Sequence, residues 1–161
     1  MDPGAPSVRE AIGQKKPFAS KRQEGVLALL LASERVRWRI AQVLAGKGEL
    51  TLQQYNVLRI LRGAGPAGLP TLAIVERMIE HTPGITRLID RLEAKKLVER
   101  DRSTEDRRQV LCRVTPRALA ALAALDPDMD ELDEQVLGIL STSEVATLVR
   151  LLNKVRIHQT L

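Results

Sequence analysis

Residues 82–115 read TPGITRLIDRLEAKKLVERDRSTEDRRQVLCRVT, and a change of period inside this stretch decides the fold. Ile85, Leu88, Ile89 and Leu92 recur at spacings of three and four, the pattern of an amphipathic helix. Thr82 is a good N-cap and Pro83 suits a first helical position, so the helix is expected to open there. Its other face carries Thr86, Arg87, Asp90 and Arg91. Beyond Lys96 the period shortens. Leu97-Val98-Glu99-Arg100 leads into a polar stretch, and Gln109 to Thr115 leads out, with Val110, Cys112 and Val114 alternating with Leu111 and Arg113. That is the period of a strand, so two strands about a charged turn form a hairpin.

Outward from this stretch the chain reads as helices. Upstream, a short helix over about Leu69 to Met78 is expected to bury Leu72, Val75 and Ile79. Thr51-Leu-Gln-Gln54 is a capping box, and the helix it opens turns Leu52, Tyr55, Leu58 and Leu61 inward before Gly63-Ala-Gly-Pro-Ala-Gly68 stops it. A helix over about 23–45 carries Val26, Leu29, Leu30, Ile40, Val43 and Leu44 on one stripe, with Leu27, Leu31 and Trp38 off it. A helix apolar on more than one side needs two partners, its own domain and a second subunit. Residues 1–20, with Pro3, Gly4, Pro6, Gly13 and Pro17, read as a flexible tail bearing Lys15 and Lys16. Downstream, Thr115-Pro116 opens a helix through Ala118, Leu119 and Leu122 towards Leu125, which Pro127 should kink or restart. Ser141-Thr-Ser-Glu144 is a second capping box, and the last helix carries Val145, Leu148, Val149, Leu152 and Val155.

Bulk properties narrow the class. The 161 residues suit one domain and barely two, and 44% hydrophobic content supports a real core. Aromatics are only 2% (Phe18, Trp38, Tyr55), so the core is aliphatic, which favours helices over sheets. The net charge of +5 favours an anionic partner without identifying it. A lone cysteine, Cys112, excludes a disulfide framework within the chain and fits a reducing compartment. No apolar run is long enough for a membrane span, and the N-terminal residues lack a secretory h-region. The expected location is the cytoplasm.

Competing chemistry fails on context. Gly63-Ala-Gly65-Pro-Ala-Gly68 spells GxGxxG, but a helical pattern precedes it and no parallel-strand unit surrounds it, so it reads as a loop. Asp126-Pro-Asp128-Met-Asp130 begins like a calcium loop, yet Glu131 stands where glycine is needed and Leu137 where glutamate is needed. Asp126 is instead expected to start a helix after Pro127. His81 and His158 lie far apart in sequence without partner ligands. With no nucleophile elbow or Walker loop either, the chain reads as a non-enzyme without a cofactor.

A helix, a short turn, then the helix from Thr82 is a helix-turn-helix candidate, whose second helix enters the major groove. Thr86, Arg87 and Arg91 suit base edges there, since arginine pairs bidentately with guanine. Between Thr82 and Arg113 stand nine basic and six acidic side chains, an excess of only three, so placement matters more than sum. An arginine at a hairpin tip can enter a narrow minor groove, with a carboxylate holding its aim.

From about Leu50 to Thr115 the chain resembles the winged helix-turn-helix core of the MarR regulators. The resemblance is carried by Leu50-Thr-Leu-Gln-Gln-Tyr-Asn-Val-Leu58 and Ile85-Thr-Arg-Leu-Ile-Asp-Arg-Leu-Glu93. It continues in Leu97-Val-Glu-Arg100 and in Asp106-Arg-Arg108, with Val114-Thr-Pro116 after it. It implies that Arg108 is the wing arginine in the minor groove, beside Arg107, and that Asp106 orients it. It further implies that the helix with Thr82, Thr86, Arg87 and Arg91 reads the major groove, and that flanking helices of two chains interlock. Val26 and Leu30, with Leu148, Leu152 and Val155, are then the dimerisation residues. Family members often release DNA on binding a small aromatic or phenolic effector, for which Trp38 and Tyr55 are the available aromatic contacts. Two departures stand out. Pro83 and Gly84 offer no hydrogen-bonding side chain at the start of the reading helix, and aromatics are scarce. Some relatives sense oxidants through cysteine, but Cys112 falls on the strand's inner face, where a thiol is inert.

The expected fold is mostly α (α+β), a winged helix-turn-helix lobe on a dimerisation base. The expected domains are a tail (1–20), an N-terminal dimerisation helix (21–48), the DNA-binding lobe (49–115) and C-terminal dimerisation helices (116–161). The expected function is a homodimeric regulator, repressing from a near-palindromic site in double-stranded DNA. The competing reading is a helical interaction module whose basic hairpin binds RNA or an acidic protein.

Overall fold

The computed structural model describes residues 6–47, 50–80, 83–102 and 109–158. They divide into two compact units, Met1–Arg39 and Ile40–Leu161. In the first unit the expected tail carries a short helix, α1 (Val8–Ala11), closed by a capping box between Ser7 and Glu10. The reciprocal Ser7–Glu10 hydrogen bonds satisfy orphan backbone donors, which suffices for one turn. Helix α2 (Lys21–Lys47) follows, and at its start Ser20 Oγ accepts from the Gln23 backbone N–H. Val26, Leu30 and Trp38 on α2 are all more than half exposed.

The second unit holds the core. Helix α3 (Leu52–Ala64) opens with the expected Thr51–Gln54 capping box. It buries Tyr55, Leu58 and Leu61 as read, and also Val57, Gln54 and Asn56. A 3-10 turn over Gly65–Ala67 leads into a two-residue strand, β1 (Leu69–Pro70), and helix α4 (Thr71–Arg77). This corrects the third helix. Leu72 is 69% and Ile79 76% exposed, Val75 is half-buried, and Ile74 is fully buried instead. The cause is the sheet: Leu69 pairs with Cys112, and from that anchor the core-facing positions run through Ile74 and Met78.

Helix α5 spans Ile85–Ala94 and opens later than expected. Gly84 is its N-cap in the left-handed region (φ 83), so Pro83 and Gly84 form a turn rather than a first helical turn. Thr82, read as the cap, lies outside the described residues. The hairpin is present as β2 (Val98–Arg102) and β3 (Val110–Val114), antiparallel, with Val98 opposite Val114 and Arg102 opposite Val110. Strand order is β1-β3-β2. The short β1 escapes a period-two reading because it is two residues long and includes a proline.

Helix α6 (Pro116–Leu137) passes through Pro127 without a restart. Leu125 and Leu132 are buried on either side of the proline and hold both halves down. Asp126 does not start a helix either. Its carboxylate accepts from Arg62 Nη1 of α3 at 3.0 and 2.8 Å. Helix α7 (Thr142–His158) begins at the expected Ser141–Glu144 capping box. Among the described residues no single helix is long and apolar enough to cross a membrane. One buried cluster joins Leu44 of α2, α3, Ile74, α5, Leu97, Val98, Cys112 and the first half of α6.

Thr115 ties this cluster together. Its Oγ1 accepts from the Ala118 N–H at 3.2 Å and donates to the Lys96 carbonyl at 2.9 Å, so one hydroxyl caps α6 and holds the α5–β2 turn. Thr115→Ala should cost about 1–2 kcal/mol, a cap plus a stranded carbonyl. Urea unfolding measures it, and an unchanged midpoint would refute the dual role.

Candidate nucleic-acid interface

Helix α5 presents three faces. Leu88, Ile89 and Leu92 are buried on one. Thr86, Asp90 and Glu93, at i, i+4 and i+7, share a second stripe that meets the hairpin. There Arg100 of β2 donates from Nη2 to Asp90 Oδ1 at 2.6 Å and to the Thr86 carbonyl at 3.5 Å, and its Nη1 lies 3.6 Å from Glu93 Oε2. Burial works against the charged guanidinium, but the Asp90 hydrogen bond and the Glu93 and Asp90 charges outweigh it and raise its pKa above the arginine norm. The third face holds Arg87 and Arg91, exposed, with no side-chain partner among the described residues.

The outward group is thus sorted by structure. Thr86, Arg87 and Arg91 remain exposed, as expected for a groove-reading face, whereas Asp90 is engaged by the wing strand. Of the other expected DNA contacts, Thr82, Asp106, Arg107 and Arg108 lie outside the described residues, as does His81. The hairpin stem that leads to the last three is described. Arg113 of β3 fastens it on the other side, donating from Nε to the Pro66 carbonyl at 2.7 Å and from Nη1 to Asp101 Oδ2 at 2.9 Å.

Arg100 and Arg113 were missed as positioning groups. The available signal was alternation: Arg100 sits two residues from Val98, on the core-facing side of β2, where a lone charge needs a partner. The partners, Asp90 and Glu93, are spaced for one helix face.

The residues just after α4 are tied to α3. Gln53 Nε2 donates to Glu80 Oε2 at 3.2 Å, and Asn56 Nδ2 lies 3.7 Å from Met78 Sδ. Cys112 is fully buried, and burial pushes its thiol pKa up, which disfavours the thiolate. Val110, expected on the same inner face, is 44% exposed because it sits at the hairpin's far end, opposite Arg102.

Of the two aromatics named for an effector, Tyr55 is only 7% exposed, with Arg59 over its ring at 5.8 Å, and burial raises its hydroxyl pKa. Trp38 of α2 is 56% exposed.

Residues 50–110 match the family model described as "MarR family". The chain is 31% identical over 106 residues to the transcriptional regulator HosA of Escherichia coli O157:H7, covering 66% of this chain and 77% of that protein. It is 39% identical to a MarR transcription factor from Planctomyces limnophilus of known crystal structure, with a TM-score of 0.62, covering 85% of this chain and 98% of that one. It also resembles Bordetella bronchiseptica BpsR, whose structure concerns regulation of DNA binding by 6-hydroxynicotinic acid. There the identity is 28% and the TM-score 0.75, over 88% of this chain and 98% of that one.

Proposed function

The chain belongs to the MarR family of DNA-binding transcriptional regulators, and on that premise we propose that it is a homodimeric repressor acting on a near-palindromic operator. The observation that supports this most is the uncommitted pair Arg87 and Arg91. Two cations stand one turn apart on an exposed helix face beside an anchored hairpin. An α-helix fits the major groove, and arginine forks match guanine O6 and N7. In this reading Thr82 and Thr86 assist at the helix start. The wing places Arg108, with Arg107 beside it and Asp106 orienting it, in the adjacent minor groove. Repression follows from occupying the duplex; the RNA or acidic-protein reading has no such two-groove requirement.

The same reading assigns 49–115 to DNA and 21–48 with 116–161 to dimerisation. Val26, Leu30, Leu152 and Val155 are 39–60% exposed, and Leu148 is half-buried. Bare apolar helix faces of this kind are covered in a dimer. Two lobes on one duplex face then read half-sites about one helical turn apart. The effector is a small aromatic or phenolic acid, in keeping with BpsR, and 6-hydroxynicotinic acid is the first probe. Trp38 is the more accessible of the two aromatics that could contact it.

Fluorescence anisotropy against duplex from upstream of its own gene, with scrambled duplex as control, tests the proposal over a salt series. Tens-fold preference for the native duplex is expected, with affinity falling steeply in salt as phosphate counterions are released. Arg108→Ala should lower affinity about tenfold. Equal, weak binding to both duplexes would count against this operator, and no binding at low salt against the reading as a whole.

A further inference from the structure

We infer that Arg100 is a positioning residue for operator discrimination: by clamping Asp90 and Glu93 it fixes the rotation of α5 about its own axis, and with it the aim of Arg87 and Arg91. The inference rests on the DNA-binding reading above and deepens it.

Helix α5 is held from below by Leu88, Ile89 and Leu92, which are buried. Apolar contact is non-directional and tolerates small rotations. The described polar tie from another element to this helix is the Arg100 fork, at 2.6 Å to Asp90 and 3.6 Å to Glu93. The hydrogen bond to Asp90 is directional, and the Glu93 carboxylate one turn on adds an ion-pair contact to the same guanidinium. Arg87 and Arg91 stand one residue from Thr86 and Asp90, so they occupy the neighbouring stripe, about 100° around the helix. Side-chain tips lie roughly 5 Å from a helix axis, so a rotation of about 20° moves them by about 2 Å. Recognition geometry tolerates only about 0.5 Å. The clamp also joins reading helix and wing strand, so the two parts that enter neighbouring grooves move together.

Charge and position predict opposite signs for one substitution. Asp90→Asn removes a negative charge from the DNA-facing side. If Asp90 acts through charge alone, every duplex binds this variant more tightly. If it holds the clamp, preference for the operator falls. Asp90 is half exposed and asparagine is isosteric, so the variant should fold. Arg100→Lys keeps the charge but loses the planar fork, and should behave in the same way.

The experiment uses the full chain and the duplex enriched from a random library by the wild-type protein, with a scrambled duplex beside it. Thermal melting by circular dichroism confirms folding. The expected result is at least a tenfold fall in the ratio of operator to scrambled affinity for both variants, with scrambled binding unchanged or tighter. An unchanged ratio in Asp90→Asn, with both affinities raised alike, would overturn the clamp and leave the DNA-binding reading standing. A wild-type chain that enriches no duplex would overturn that reading and the clamp with it.

Discussion

Gly68→Ala is expected to cost about 3 kcal/mol, one of the two largest effects of the substitutions considered. Gly68 has φ 69 and ψ −174, a region that is essentially glycine's alone and costs other residues about 1–3 kcal/mol. Space is also lacking. A Cβ there would stand 2.6 Å from the Cys112 carbonyl oxygen and 2.7 Å from Arg113 Cγ. The arginine stem can give way, but only by disturbing its hydrogen bonds to Pro66 and Asp101. The carbonyl cannot, because Cys112 is paired with Leu69 in the sheet. Gly63 is the internal control. It lies inside α3, has an ordinary φ, and meets nothing within 4 Å, so Gly63→Ala should stabilise by up to about 1 kcal/mol. Urea unfolding of both variants, at constant slope, gives the comparison. A Gly68→Ala loss below about 1 kcal/mol would mean the β1–β3 approach is looser than described.

The double variant Arg87→Ala/Arg91→Ala is expected to weaken operator binding by about a hundredfold or more, since each arginine fork on a base is worth about 1–3 kcal/mol. Stability should not move, because neither side chain has a partner among the described residues. That combination separates these arginines from Arg100, whose removal frees two carboxylates. Anisotropy on the selected duplex, paired with a melting curve, reads both quantities. Binding within about threefold of wild type would remove this face of α5 from the interface. Thr86→Ala should cost less, since one hydroxyl forms one bond where a guanidinium forms two.

Much of this molecule was legible along the chain because it depends on neighbours in sequence. The Thr51–Gln54 and Ser141–Glu144 capping boxes, the Thr115 cap and the apolar stripe of α5 are local agreements between side chain and backbone, and each is present. So is the switch from period 3.6 to period 2 that announces the hairpin. The GxGxxG string, read as a loop, is instead the last residues of α3 followed by a 3-10 turn, and its last glycine matters for a reason no local rule contains: a strand 44 residues further on passes against it.

What could not be read depended on remote partners. Strand β1 exists because β3 offers a free edge, and pairing it there moves the buried face of α4 from Leu72 and Ile79 to Ile74. The reading that Pro127 kinks or restarts its helix meets a helix without a restart, with Leu125 and Leu132 buried on either side. Asp90 was grouped with Arg87 and Arg91 by exposure, and only the arrival of β2 separates it from them. Periodicity and caps assign helix and strand, because they are properties of the chain within a turn or two. The division of one exposed helix face into a clamped carboxylate stripe and a free arginine stripe needs a guanidinium from elsewhere, and only the folded arrangement supplies it.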